Sequence, residues 1–161
     1  MSSATLRAWR LVKRSRLDTA FDGEGAFRFG GRWNSKGQRV VYASSSLALA
    51  LLEILVHIDP SRAIPELMAI PIDIPENQVE RGPQSALDRI GQGLPWPLPQ
   101  TRRIGDKWIR AAQHTARQVP SAIIPLESNY LLNPTHPDFT RCRIGEPEAL
   151  PIDLRLYQAS A

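Results

Sequence analysis

Between Gln38 and His57 the chain passes from a β-forming run, Gln38-Arg39-Val40-Val41-Tyr42-Ala43, through Ser44, Ser45 and Ser46 into an apolar run, Leu47 to Val56. The first stretch reads as a strand, because β-branched and aromatic side chains suit a pleated surface. The serine hydroxyls offer N-caps to a helix over Leu47–His57, which Asp59-Pro60 terminates. That helix is apolar around its whole circumference except at Glu53, so burial on most sides is expected. A strand leading directly into such a helix requires a sheet for both to pack on, and it rules out all-α and all-β folds.

The flanking segments fit the same architecture. Thr5–Val12 reads as a first strand, and residues 18–31 as a loop whose glycines stand at 23, 25, 30 and 31, with Gly37 just beyond. Glu66–Ile74 looks like a third strand, where Pro71 suggests an edge position or a bulge. Ser85–Gly91 suits a short helix, and the prolines of Leu94–Pro99 predict an extended loop. Asp106–Gln118 has amphipathic spacing, with Trp108, Ile109, Ala112 and Ala116 inward and Lys107, Arg110 and Arg117 outward. Ala122–Leu126 reads as a buried strand, Tyr130–Leu132 extends it or turns back, and Ile152–Tyr157 is placed to close the sheet. The expectation is a single α+β domain over residues 1–161 with a mixed sheet.

Length and charge narrow the function. At 161 residues the chain suffices for one domain with a proper core. The single cysteine, Cys142, excludes an intramolecular disulfide and a cysteine-based metal cluster, and it fits a reducing compartment. Met1–Arg16 has no signal-peptide core, and the apolar run ending at Val56 is far short of a membrane span. A soluble, cytoplasmic protein is expected. Residues 1–40 hold nine Lys/Arg against three Asp/Glu, a concentration suited to a phosphate-bearing partner or to a solvated basic face.

Three side chains stand out chemically. Glu53 is a carboxylate in apolar surroundings, costly unless it is paired or borders a polar cleft. The plain alternative is a surface glutamate facing His57 one turn on; a Glu–His metal pair lacks further ligands, so no metal site is expected. Arg32 follows Gly30-Gly31, where backbone can approach a ligand and a guanidinium can grip phosphate, although a surface arginine beside a turn looks the same. Tyr42 is suited to stacking on a planar ring or to filling the core. There is neither a strand–GxGxxG–helix order nor a P-loop. No serine sits in a nucleophile elbow, and His136 lies in the turn-like Asn133-Pro134-Thr135-His136-Pro137.

Five blocks in order then carry a resemblance. Gly30-Gly31-Arg32-Trp33-Asn34, Val41-Tyr42-Ala43, Ala50-Leu51-Leu52-Glu53, Val119-Pro120-Ser121-Ala122 and Asn129-Tyr130-Leu131-Leu132-Asn133-Pro134 together resemble the RES domain family, over roughly residues 6–157. That family is named for arginine, glutamate and serine positions and comprises toxins of bacterial toxin–antitoxin pairs. The resemblance implies a fold similar to ADP-ribosyltransferase toxins and consumption of NAD+ as substrate, with no separate cofactor. Some members hydrolyse or phosphorolyse NAD+, and others transfer ADP-ribose to a protein.

Carried over by position, Arg32, Tyr42 and Glu53 would be catalytic, with Arg10, Gly31, Ser121 and Asn129 binding substrate. Arg10 is expected to reach the phosphates, and Ser128 is a weaker match than Ser121 for the family serine. The implied partner is an Xre-like antitoxin that blocks the cleft within a higher-order complex and itself makes the DNA contact. A basic nucleic-acid-binding module is the alternative from another class. Aromatic residues at 7%, not interleaved with the basic ones, speak against it.

Overall fold

In the computed structural model, which describes residues 3–82 and 97–157, the strand β1 (Thr5–Lys13) is the spine of the sheet. On one side it meets β2 (Val41–Ser44) at Trp9↔Ser44. On the other it pairs along its whole length with β3 (Leu67–Pro75), from Thr5↔Pro75 to Lys13↔Leu67. Beyond β2, and reached through β4 (Val79–Arg81) and β5 (Ala116–Pro120) in the chain, lies β6 (Ser128–Leu132). β5 then runs antiparallel to β6, and β4 parallel to β5. At the opposite end β7 (Arg143–Ile144) and β8 (Glu148–Leu150) both pair with β3. Among the described residues the result is an eight-stranded mixed sheet in the order β4-β5-β6-β2-β1-β3-β7, with β8 also on β3. The expected α+β class is the one that forms.

Side-chain alternation separates the sheet's two faces. Ala8, Val41, Ala43, Ile72, Ile74, Tyr130 and Leu132 share one face, extended by Val12, Met68 and Ile70 and closed by Leu17, Phe21 and Phe139 from short 3-10 turns and loops. Trp9, Leu11, Leu67 and Ala69 point the other way and receive the helix α2 (Leu47–Leu55), the second after the short α1 (Glu24–Phe29), through Leu47, Ala50, Leu51 and Ile54. Fully burying a leucine or isoleucine side chain contributes about 1.5–3 kcal/mol, and the part-buried Leu47, Leu51 and Ile54 each contribute a share of that. Further along the same face α3 (Leu98–Ala111) packs Trp108 and Ile109 on Val119, Leu131, Trp33 and Val40. The central strands β2 and β6 thus lie between the places where the two helices pack.

Several elements differ from the sequence reading. Ser46 caps α2 as expected, its Oγ accepting from the Leu49 amide at 3.1 Å, but the helix ends at Leu55 and is not buried on most sides. Leu52 and Val56 are 37% and 59% exposed, since the sheet covers only one side of the helix. Part of the loop expected over residues 18–31 is α1, bracketed by Gly23 and Gly30 with φ of 71° and 72°. α3 begins at Leu98, with Pro99 in its first turn where a missing amide costs nothing, and it stops at Ala111, so Ala116 belongs to β5. Ala122–Leu126 is an exposed turn, and Leu154–Tyr157 is a 3-10 turn rather than a closing strand. The helix expected over Ser85–Gly91 lies outside the described residues.

Pro71 is neither at a bulge nor on an outermost strand: its register with Trp9 is unbroken. It falls between the segments of β3 that pair with β8 (Leu67–Ala69) and β7 (Ile72–Asp73), where no amide donor is needed, and its carbonyl accepts from Gly145 at 2.8 Å.

Cys142 is buried in the first-face core, and burial pushes its thiol up to about 11. The thiolate is the reactive form. Iodoacetamide at neutral pH is therefore expected to leave native Cys142 unmodified and to label it after unfolding in urea. Mass spectrometry reads the outcome, and rapid labelling of the native protein would contradict this packing.

A candidate active site on the helix-bearing face

Glu53 projects from α2 toward the centre of the sheet, half-buried. Its Oε1 accepts from Ser121 Oγ at 2.7 Å and from Asn129 Nδ2 at 2.6 Å. Asn129 is fixed in turn: it pairs with Ser44 across β2 and β6, and Ser44 Oγ donates to its Oδ1 at 2.7 Å. Ser121, fully buried at the end of β5, also accepts from the amides of Ile123 and Ile124 at 3.0 and 3.1 Å. The carboxylate is thus held through one oxygen only. Oε2 takes no hydrogen bond from any described residue, and the alternative of a surface glutamate paired with His57 does not occur.

Ser121→Ala strips two backbone amides of their acceptor and Glu53 of a donor. A loss of about 1–3 kcal/mol in stability is expected, measured by urea denaturation. An unchanged midpoint would show that the hydroxyl is dispensable.

Tyr42 stands two residues from Ser44 on β2, hence on the same face and about 6.6 Å away along the strand. Its Oη donates to Asn34 Oδ1 at 2.6 Å and accepts from the Trp33 amide at 3.1 Å. Burial pushes the phenol well above its ordinary range, with the Trp33 amide, Arg102 and Arg32 pulling the other way, so it stays a protonated donor. Asn34, fully buried, uses Nδ2 on the carbonyls of Ala26 and Ser35, both at 3.0 Å. Gly31 cannot carry a side chain here: a Cβ would lie 2.6 Å from Tyr42 Oη and 2.8 Å from Asn34 Oδ1. The turn is therefore pressed against the tyrosine, and it holds the exposed Arg32 near Tyr42.

Not every expected residue joins this group. Arg10 alternates with Trp9 and lies on the opposite face of β1, where Nε donates to Ala20 O at 3.0 Å and Nη1 to Tyr42 O at 3.1 Å. Burial lowers its pKa to about 10, leaving it charged at neutral pH. It braces the backbone of β2 from behind. Ser128 Oγ accepts from Gln118 Nε2 at 2.8 Å, and Ser121 alone of the two candidate serines meets Glu53. His136 caps a 3-10 turn, its Nδ1 accepting from the Asp138 amide at 3.0 Å, as the turn-like context implied.

The sequence reading did not single out Ser44, and it missed Asn34 except as part of a motif. It also gave no role to Thr101, Arg102 and Asp106 of α3, which bond to the Arg32 turn from some 70 positions away. Nothing local marks such long-range partners. A polar aspartate and threonine on the inward side of a helix were the available signal.

The RES domain family profile matches residues 7–153. This chain belongs to the RES domain family. Its relatives include the toxin Res of Photorhabdus laumondii, 36% identical over 81% of this chain and 83% of the relative. The Prs ADP-ribosylating toxin of a Sphingobium species is 34% identical over 83% and 86%. Among solved structures, this RES domain shares its fold with the M. tuberculosis MbcT–MbcA toxin–antitoxin complex, at a TM-score of 0.70 and 18% identity over 92% and 85% of the two chains. Among the described residues of the RES domain no helix is long and apolar enough to cross a membrane, and no group of three or more His, Cys, Asp or Glu side chains could hold a metal ion.

Proposed function

We propose that this RES domain is the toxin of a toxin–antitoxin pair and cleaves the nicotinamide–ribose bond of NAD+, by hydrolysis or phosphorolysis. The observation that carries this reading is the half-buried Glu53, anchored through Oε1 by Ser121 and Asn129 with Oε2 left unbonded among the described residues. When the glycosidic bond breaks, its electron pair leaves with nicotinamide and positive charge develops on the ribose. A fixed carboxylate beside that charge is worth most when it need not reorganise. Oε2 would face the charge or accept from the ribose 2′-hydroxyl. Tyr42 would support the nicotinamide or its ribose, and Arg32 the pyrophosphate, whose oxygens match a guanidinium fork. Water or phosphate would then attack the ribose carbon, the attacking oxygen losing its proton to solvent.

A second acceptor, a protein side chain, is favoured by the likeness to an ADP-ribosylating toxin. A protein partner is supported by the toxin–antitoxin complex with the same fold, and we take it to be an Xre-like antitoxin that blocks this face. Incubating the purified chain with NAD+, with and without phosphate or a cell extract, separates these acceptors by product mass. No nicotinamide release under any condition, with salt-dependent nucleic-acid binding instead, would replace the enzyme reading by that of a binding module.

Arg32→Ala is expected to raise the Kd for NAD+ by about 10- to 150-fold, the loss of a charge-assisted phosphate contact worth about 1.5–3 kcal/mol. Isothermal calorimetry measures it; an unchanged Kd would leave Arg32 a surface residue of the turn.

A further inference from the structure

We infer that α3 is a positioning element for Arg32, acting through Thr101 and Asp106; this rests on the reading of Arg32 as a substrate contact. Four residues of the turn are each met by one residue of α3. Arg102 Nε donates to Gly31 O at 2.9 Å, and Thr101 Oγ1 donates to Arg32 O. Gly105 lies against Trp33 so closely that a Cβ would fall 1.6 Å from its carbonyl oxygen. Asp106 takes the Ser35 amide on Oδ1 at 2.9 Å and the Ser35 hydroxyl on Oδ2 at 2.6 Å. Positions 101, 102, 105 and 106 form one stripe of a helix, so a single rigid surface holds the turn.

Two observations separate this from ordinary packing. Asp106 is a buried carboxylate, and the Ser35 pair is what satisfies it; such a group is costly in a core that has no use for it. Arg32, conversely, makes no side-chain hydrogen bond or ion pair with any described residue. The root of its side chain is fixed by its own backbone, and that backbone is held by Tyr42 and Asn34 on one side and by α3 on the other.

The test uses four variants of the full chain. Thr101→Val and Asp106→Ala remove the contacts. Thr101→Ser keeps the hydroxyl, and Asp106→Asn can still serve Ser35, whose hydroxyl then turns round to accept. Hydrogen exchange over residues 30–37 is expected to rise about tenfold in the first two variants, with β6 still protected, and to return toward wild type in the conservative two. KM for NAD+ should rise about 10- to 100-fold with a smaller change in kcat, because a small misplacement of a binding group suffices. In an Arg32→Ala background the same substitutions should add almost nothing, as expected for residues acting through one another.

Unchanged exchange in both Thr101→Val and Asp106→Ala would overturn the inference. So would KM effects that add fully to that of Arg32→Ala. If the wild-type chain turns over no NAD+, the functional reading fails separately, while the exchange comparison still decides whether α3 orders the turn.

Discussion

Glu53→Gln is expected to lower nicotinamide release from NAD+ by at least about 100-fold, with the unfolding transition nearly unmoved. Glutamine keeps the shape, and its carbonyl oxygen can still accept from Ser121 and Asn129, whose bonds to Oε1 are 2.7 and 2.6 Å. What changes is the other oxygen: an NH2 group replaces Oε2, presenting partial positive charge to a ribose that itself becomes positive. The loss should therefore fall on kcat more than on KM, because the interaction strengthens only in the transition state. Single-turnover measurement beside a thermal melt decides it. A well-folded variant with wild-type turnover would remove Glu53 from the mechanism.

Gly105→Ala is expected to destabilise the chain by about 3 kcal/mol or more, at the upper end for overpacking. For a chain of this size that lowers the melting temperature by roughly 6–12 °C. A Cβ at this position cannot be accommodated by a side-chain rotation, because the atom it meets is the backbone oxygen of Trp33. α3 would have to lift from the turn, taking Trp108 and Ile109 with it. Gly25→Ala in α1 is the control: nothing lies within 4 Å of its added Cβ, and alanine is the better helix former, so the melting temperature should hold or rise. Equal melts for the two variants would show that α3 sits further from the turn than the structure has it.

Local chemistry made part of this fold legible. Ser46 and the β-branched and aromatic run Val40, Val41 and Tyr42 announce α2 and β2 because both signals act within a few residues. The family blocks marked Arg32, Tyr42, Glu53, Ser121 and Asn129, although no spacing rule links residues so far apart. The misreadings have physical causes as well. Ile123 and Ile124 look like strand residues, but Ser121 Oγ takes their amides and bends the chain, so no ladder forms. The start of α3 was placed late because Pro97 and Pro99 suggest a break, whereas proline is at home in a first helical turn. Arg10 matches a first-strand arginine expected to reach the phosphates, yet strand alternation sets it on the far face from Trp9. Applying that period to β1 together with the apolar face of α2 would have shown it.

The sheet ends in very short strands: β4 has three residues at one margin, and β7 and β8 have two and three at the other, with Pro71 at the break between them. Short, interrupted margins offer little backbone for another chain to extend. Among the described residues, another chain finds little template for adding a strand of its own, and a partially unfolded neighbour little to copy itself onto. Contact at these margins then runs through side chains, which distinguish one sequence from another as backbone amides cannot. A sheet bounded this way is predisposed to select what it binds by side-chain identity, and it resists joining edge to edge with another copy of itself.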